Sequence, residues 1–258
     1  MTPIAELLEP VRNRWFTGKM LDAFHMELET DYGDRKRWLL NRLVLGSGVA
    51  QGLDVLPGPD PMSVIVTPGM AIDWKGREII VPTGEPPSVW KVPEVVVAEA
   101  KKHQHHADGK GEKPPSGRVH VRVALCYLDG QDVSAPTDPG TGCGCDPGSG
   151  TIREGYEVCF DPHPAPPVQC RSRVPNLFDD ADHVHAVLAR WVTRHLPHEH
   201  KSPCITLANL LIDAGSPGAR CEPEHIDITV RPIVYSNDLL YEMILGLFRS
   251  PDGPTDPK

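Results

Sequence analysis

Val119-His120-Val121-Arg122-Val123-Ala124-Leu125-Cys126-Tyr127 is the stretch that decides the fold. Valine, leucine and tyrosine at odd positions alternate with histidine, arginine, alanine and cysteine at even ones. Successive side chains of an extended chain leave opposite faces, so this period of two predicts a β-strand with its odd residues on a core. Residues 204–212 are apolar at nearly every position, as expected of a buried central strand. Residues 152–160 predict a further strand, and Ile226, Ile228 and Val230 alternate in another.

Upstream, residues 48–56 and 63–67 are short apolar runs bounded by Pro57-Gly58-Pro59 and Pro68-Gly69. Residues 70–81 predict a hairpin about Lys75-Gly76, with Ile72 and Trp74 before the turn and Ile79 and Val81 after it. Pro68-Gly69 and Lys75-Gly76 are turn formers, and Gly52 is placed for a bulge or a close backbone contact.

Helices frame these strands. Phe24, Leu28, Tyr32, Leu39 and Leu43 fall near one face at helical spacing. Gly33 costs roughly 1 kcal/mol in a helix interior and is expected to divide this segment in two, with Gly46 and Gly48 ending it. Asp179 or Asp180 is placed to cap a helix carrying Val184, Val187, Leu188, Trp191 and His195. Ser236 is placed to cap a last one carrying Leu239, Leu240, Met243, Ile244, Leu247 and Phe248.

The expected fold is therefore α+β and mainly β: an N-terminal helical segment, antiparallel strands and hairpins with long Pro/Gly loops, and a C-terminal helix. Residues 1–48 form the helical segment and 49–249 the β-rich domain, with loop insertions at 103–117 and 130–150. Residues 250–258 are expected to be a disordered tail.

Composition narrows the function. The 258 residues carry a net charge of −9, which argues against a general nucleic-acid binder. No apolar run approaches the roughly 20 residues needed to span a bilayer, so no membrane insertion is expected. The start has neither a basic nor an apolar leader region, so synthesis and folding in the cytoplasm are expected. Seven cysteines, an odd set, fit reduced thiols or a metal site better than a closed disulfide framework. The 28 prolines and 23 glycines punctuate short strands and long loops.

No phosphate-binding loop, Gly-x-Ser-x-Gly elbow or His-Glu-x-x-His pair occurs, and no carboxylate pair is singled out by spacing. We therefore expect no enzyme and no cofactor. Metal binding is the one chemical candidate, as a structural zinc. Cys143 and Cys145 flank Gly144 and place two thiolates on one loop. His195, His198, His200 and Cys204 form a second group, and His103, His105 and His106 a third. Zinc takes four such ligands and would pin loops that do not pack alone. Against this, Cys126, Cys159 and Cys204 also read as small strand residues.

An ordered series of motifs then becomes specific. It begins with Trp15-Phe16-Thr17-Gly18-Lys19-Met20-Leu21 and Asn41-Arg42-Leu43. Gly52-Leu53-Asp54-Val55, Pro68-Gly69-Met70-Ala71-Ile72-Asp73 and Gly76-Arg77-Glu78-Ile79 follow. Downstream stand Cys143-Gly144-Cys145, Ile152-Arg153-Glu154-Gly155-Tyr156-Glu157 and Arg231-Pro232-Ile233-Val234-Tyr235-Ser236-Asn237. The series resembles a family of bacterial proteins associated with contractile injection systems and phage-tail-like particles.

That resemblance implies a structural baseplate or tail-fibre-associated role. Its partners would be other baseplate and tail proteins, with a homo-oligomer, a trimer by analogy with tail architecture, as the expected state. The protein would reside in the cytoplasm as part of a particle later released or docked at a membrane. Trp15, Phe16, Leu240, Ile244, Leu247 and Phe248 are the candidate contact residues. The alternatives are a loop-based receptor or glycan-binding module, and a metal-dependent hydrolase.

Overall fold

The computed structural model describes residues 9–84, 88–104, 117–133, 151–168, 184–194, 202, 204–213 and 222–248. Its elements in chain order are α1 (Ala23–Leu40), a π-helical turn (Asn41–Leu45), β1 (Gly48–Gly52), β2 (Val55–Pro57), β3 (Ser63–Val66), β4 (Gly69–Ile72), β5 (Glu78–Val81) and β6 (Val89–Lys91). Then follow α2 (Glu94–Gln104), β7 (Arg118–Val133), β8 (Thr151–Asp161), α3 (Val184–Arg194), β9 (Cys204–Asp213), a 3-10 turn (Pro223–His225), β10 (Ile226–Asp227) and α4 (Asn237–Phe248). The expected mainly-β architecture with helices at both ends is what the chain forms.

Three antiparallel sheets share one core. They run β1-β4-β5, β2-β3-β6 and β10-β9-β7-β8. β7 is the decisive strand: Val119, Val121, Val123 and Leu125 are all buried, as their alternation requires. β9 lies inside the four-stranded sheet and is buried along most of its length.

One irregularity sets the faces of β9. Val123 pairs with Ala208, but Ala124 pairs with Thr206, so β9 carries one extra residue there. Leu207 and Ala208 are both fully buried at this bulge. A one-residue slip exchanges the faces of a strand. Beyond the bulge, Ile205 lies on the core face and Cys204 on the opposite one, directly across from Cys126.

The motif glycines mark close backbone approaches. A Cβ on Gly52 would stand 2.2 Å from the Pro68 carbonyl oxygen, and one on Gly69 would stand 2.3 Å from that of Gln51. At Gly48 the obstacle is Pro232, whose carbonyl accepts from the Val49 N–H at 2.8 Å. The Val234 N–H returns a bond to the Val49 carbonyl at 2.9 Å, so the segment before α4 lies along β1.

The β4–β5 hairpin is held by Asp73, which is fully buried. Its Oδ1 accepts from the Lys75 and Arg77 N–H groups at 2.8 and 2.9 Å, and its Oδ2 binds Arg77 Nε at 2.7 Å. Arg77 lies 4.2 Å over the Tyr127 ring of β7, joining two sheets. Asn41 Nδ2 donates to the Gly76 carbonyl at 2.9 Å and to Glu78 Oε1 at 2.7 Å, and Arg37 Nε pairs with the same Glu78 oxygen at 2.9 Å. The end of α1 is thereby clamped to the hairpin turn.

Four local expectations change. α1 is continuous through Gly33, because a cost near 1 kcal/mol does not break an 18-residue helix. Residues 48–56 are two strands in different sheets, separated at Gly52 and Leu53, both with positive φ. Of the strand expected at 226–230, only Ile226–Asp227 pairs. β7 continues to Val133, so the first residues of the loop expected at 130–150 are strand, and 134–150 lie outside the described residues. α2 was not anticipated, since Val95-Val96-Val97 is a β-branched run. The tail after 249 lies outside the described residues.

Gly76 combines a φ of +92° with a Cβ position only 1.9 Å from the Trp38 carbonyl oxygen. Gly76→Ala is expected to destabilise the fold by at least ~2 kcal/mol, from left-handed backbone strain plus the clash. Gly33→Ala, with open space around its Cβ, should be neutral or stabilising. Urea unfolding of the two variants checks the contrast.

Candidate functional site

The first candidate is exposed apolar surface on two segments, residues 15–45 and 233–244. Phe16-Thr17-Gly18-Lys19 is a turn, closed by the Lys19 N–H to the Phe16 carbonyl at 3.2 Å, with Gly18 at a φ of +84°. The Lys19 ammonium donates to the side chain of buried Asn13 and to the Arg14 carbonyl. This polar lock leaves the apolar motif residues facing outward. Trp15 and Phe16 are 53% and 62% exposed, and Met20 is 84% exposed.

α1 begins with Asp22 as its N-cap, accepting from the His25 N–H at 3.0 Å. No α1 residue is buried. Phe24 and Met26 are exposed, as are Leu40, Leu43, Val44 and Leu45 at its C-terminal end. Among the described residues no element covers these exposed side chains.

α4 repeats the pattern. Ser236 caps it as expected, its hydroxyl accepting from the Leu239 N–H at 3.2 Å. Leu240, Tyr241, Met243 and Ile244 are all more than 40% exposed. Ile233 and Tyr235, just before the helix, are exposed as well. Leu247 and Phe248 belong to α4, but their side chains lie outside the described residues. Four of the six candidate contact residues, Trp15, Phe16, Leu240 and Ile244, therefore present apolar surface.

The second candidate is a cysteine cluster on the outer face of the four-stranded sheet. Cys126 of β7 and Cys204 of β9 form a disulfide. Cys159 of β8 is a free thiol with its Sγ 3.2 Å from that of Cys126. Burial raises the pKa of the Cys159 thiol, and the neighbouring Glu157 carboxylate raises it further.

Along the same face, Arg122 pairs with Asp161. Burial alone would raise Asp161, but the His163 N–H and the Arg122 guanidinium hold it below the ordinary carboxylate value. Asn209 exchanges two hydrogen bonds of 2.9 Å with the Ala165 backbone, fixing the segment after β8 across this face.

Cys204 thus stands with Cys126 and Cys159, and the expectation of reduced thiols is corrected for two of them. Cys143, Cys145, His195, His198 and His200 lie outside the described residues. So do His105 and His106, while His103 packs on the His163 ring at 4.4 Å. Cys126 and Cys159 were the residues not selected from sequence. Their only signal was placement on the non-core parity of alternating strands, and the cross-strand register that joins them was hidden.

Comparison with known protein families and with curated protein sequences finds no match. Among solved structures the chain is similar to a chain of "The baseplate complex from the type VI secretion system". The match has 10% identity and a TM-score of 0.37, covering 96% of this chain and 72% of that one. No residue role is carried over at that distance.

The disulfide closes a sequence separation of 78 residues. By loop-closure entropy, reduction is expected to lower stability by roughly 4 kcal/mol in metal-free buffer. Urea unfolding with and without a phosphine reductant checks this, with peptide mapping to confirm the Cys126–Cys204 link.

Proposed function

We propose that this chain is a non-catalytic structural component of a contractile injection or phage-tail-like particle, docked through its terminal segments. The observation that carries the reading is the apolar surface of α1 and α4. An 18-residue helix without a buried side chain gains little from its own fold. Isolated helices of that length are marginal in water and are normally held by packing of an apolar face.

Each large apolar side chain moved from water into an interface contributes about 1.5–3 kcal/mol before association costs. Leu240, Tyr241, Met243 and Ile244 on one side, with Trp15, Phe16 and Met20 on the other, supply enough anchors for a specific interface. The rigid sheet core fixes where these anchors are presented. The motif residues support the same role: Gly48, Gly52, Gly69, Asp73 and Gly76 set backbone crossings and one turn, and Asn41 ties α1 to it. These are architectural tasks.

In this reading the partners are other baseplate or tail proteins, and the chain resides in the cytoplasm until the particle is assembled. Met243→Asp combined with Ile244→Asp tests it. The native chain is expected to co-purify with sheath and spike proteins of such a particle, and the double variant to lose them while keeping its far-UV circular dichroism. A native chain that stays free of those proteins, or a variant that keeps them, would contradict the proposal.

A further inference from the structure

We propose that Cys126, Cys159 and Cys204, once the disulfide is reduced, form a three-thiolate site for a thiophilic metal ion, zinc by preference. Strand register brings these cysteines together. Cys126 pairs across the sheet with Cys204 on one side and with Glu157 on the other, and Cys159 lies two residues beyond Glu157. All four side chains therefore share one face of three adjacent strands, which fix their Cα positions before any ligand arrives.

The three sulfurs lie within 4.8 Å of one another and form the single such group of metal-capable ligands among the described residues. Zinc–sulfur bonds of about 2.3 Å in tetrahedral geometry place the sulfurs about 3.8 Å apart. Cys126 and Cys159 are already at 3.2 Å. Opening the Cys126–Cys204 bond brings that pair to a similar separation by side-chain rotation alone.

Thiolate ligands select zinc or monovalent copper over the hard cations. Three thiolates packed on a half-buried sheet face repel one another, and a divalent cation removes that repulsion. The fourth position is open to water or to Glu157, which pairs with Cys126 across the sheet and lies two residues from Cys159 on the same face.

The chemistry balances without an unnamed reactant. A dithiol or phosphine reductant supplies two electrons to the Cys126–Cys204 bond and is itself oxidised, releasing two thiols. Metal binding then displaces three protons to solvent and forms three metal–sulfur bonds. The disulfide and the metal exclude each other, so a small-molecule disulfide that takes two electrons from the Cys126–Cys204 pair, and is itself reduced to two thiols, expels the ion.

The site is tested by titrating the full chain with cobalt(II) under anaerobic phosphine reduction, reading thiolate charge-transfer and tetrahedral ligand-field absorption. The reduced native chain is expected to take up cobalt with that spectrum and to release it to zinc. Cys159→Ser is expected to weaken that binding by more than about tenfold, since loss of even an outer-shell partner of a metal site typically costs about that much. Cys143→Ser with Cys145→Ser should leave it in place, and the oxidised chain should not show it. Should Cys159→Ser fail to fold, Cys204→Ser is read in its place under the same reducing conditions. An unchanged spectrum and affinity in the cysteine variant, or no thiolate band in the reduced native chain, overturns the proposal.

Discussion

The structure depends most on a carboxylate withdrawn completely from water. Asp73 has no solvent exposure, and its charge is tolerated because two backbone N–H groups and the Arg77 guanidinium satisfy it. Removing one partner of such a pair typically costs 3–5 kcal/mol, since the other is left buried and uncompensated. Here the pair also sets geometry. It shapes the β4–β5 turn, aims Arg77 at the Tyr127 ring of β7, and presents the Gly76 carbonyl to Asn41. A single turn thereby joins α1, the small sheet and the large sheet.

From that clamp follows a division of labour. The three sheets enclose the core, whose largest side chains include Leu53, Ile72, Ile79, Leu125, Leu207 and Leu210. The described apolar residues of α1 and α4 are not part of it. The exposed aromatic and aliphatic side chains on these segments are the observation on which the proposed docking role rests.

Much of this was legible in the residues. The alternation at 119–127 gave the faces of β7 directly, because valine at odd positions has one way to reach a core. Ser236 announced α4, and Pro68-Gly69 with Lys75-Gly76 announced the hairpin. The rest depended on pairings that no local pattern carries. The β9 bulge decides that Cys204 rather than Ile205 faces Cys126, and a one-residue slip leaves no trace in hydrophobic periodicity. α2 was masked by its valines. The spacing of Phe24, Leu28, Tyr32, Leu39 and Leu43 announced α1, but periodicity alone does not say whether a surface that covers such residues belongs to the same chain.

That last point is where the account is most open to a direct measurement. Hydrogen–deuterium exchange can be followed on the isolated chain and on the chain within a purified particle. The account predicts rapid exchange in α1 and α4 of the isolated chain, strong protection of both in the particle, and slow exchange of β7 and β9 in each. Protection of both helices in the isolated monomer, or exchange that assembly leaves unchanged, would contradict it.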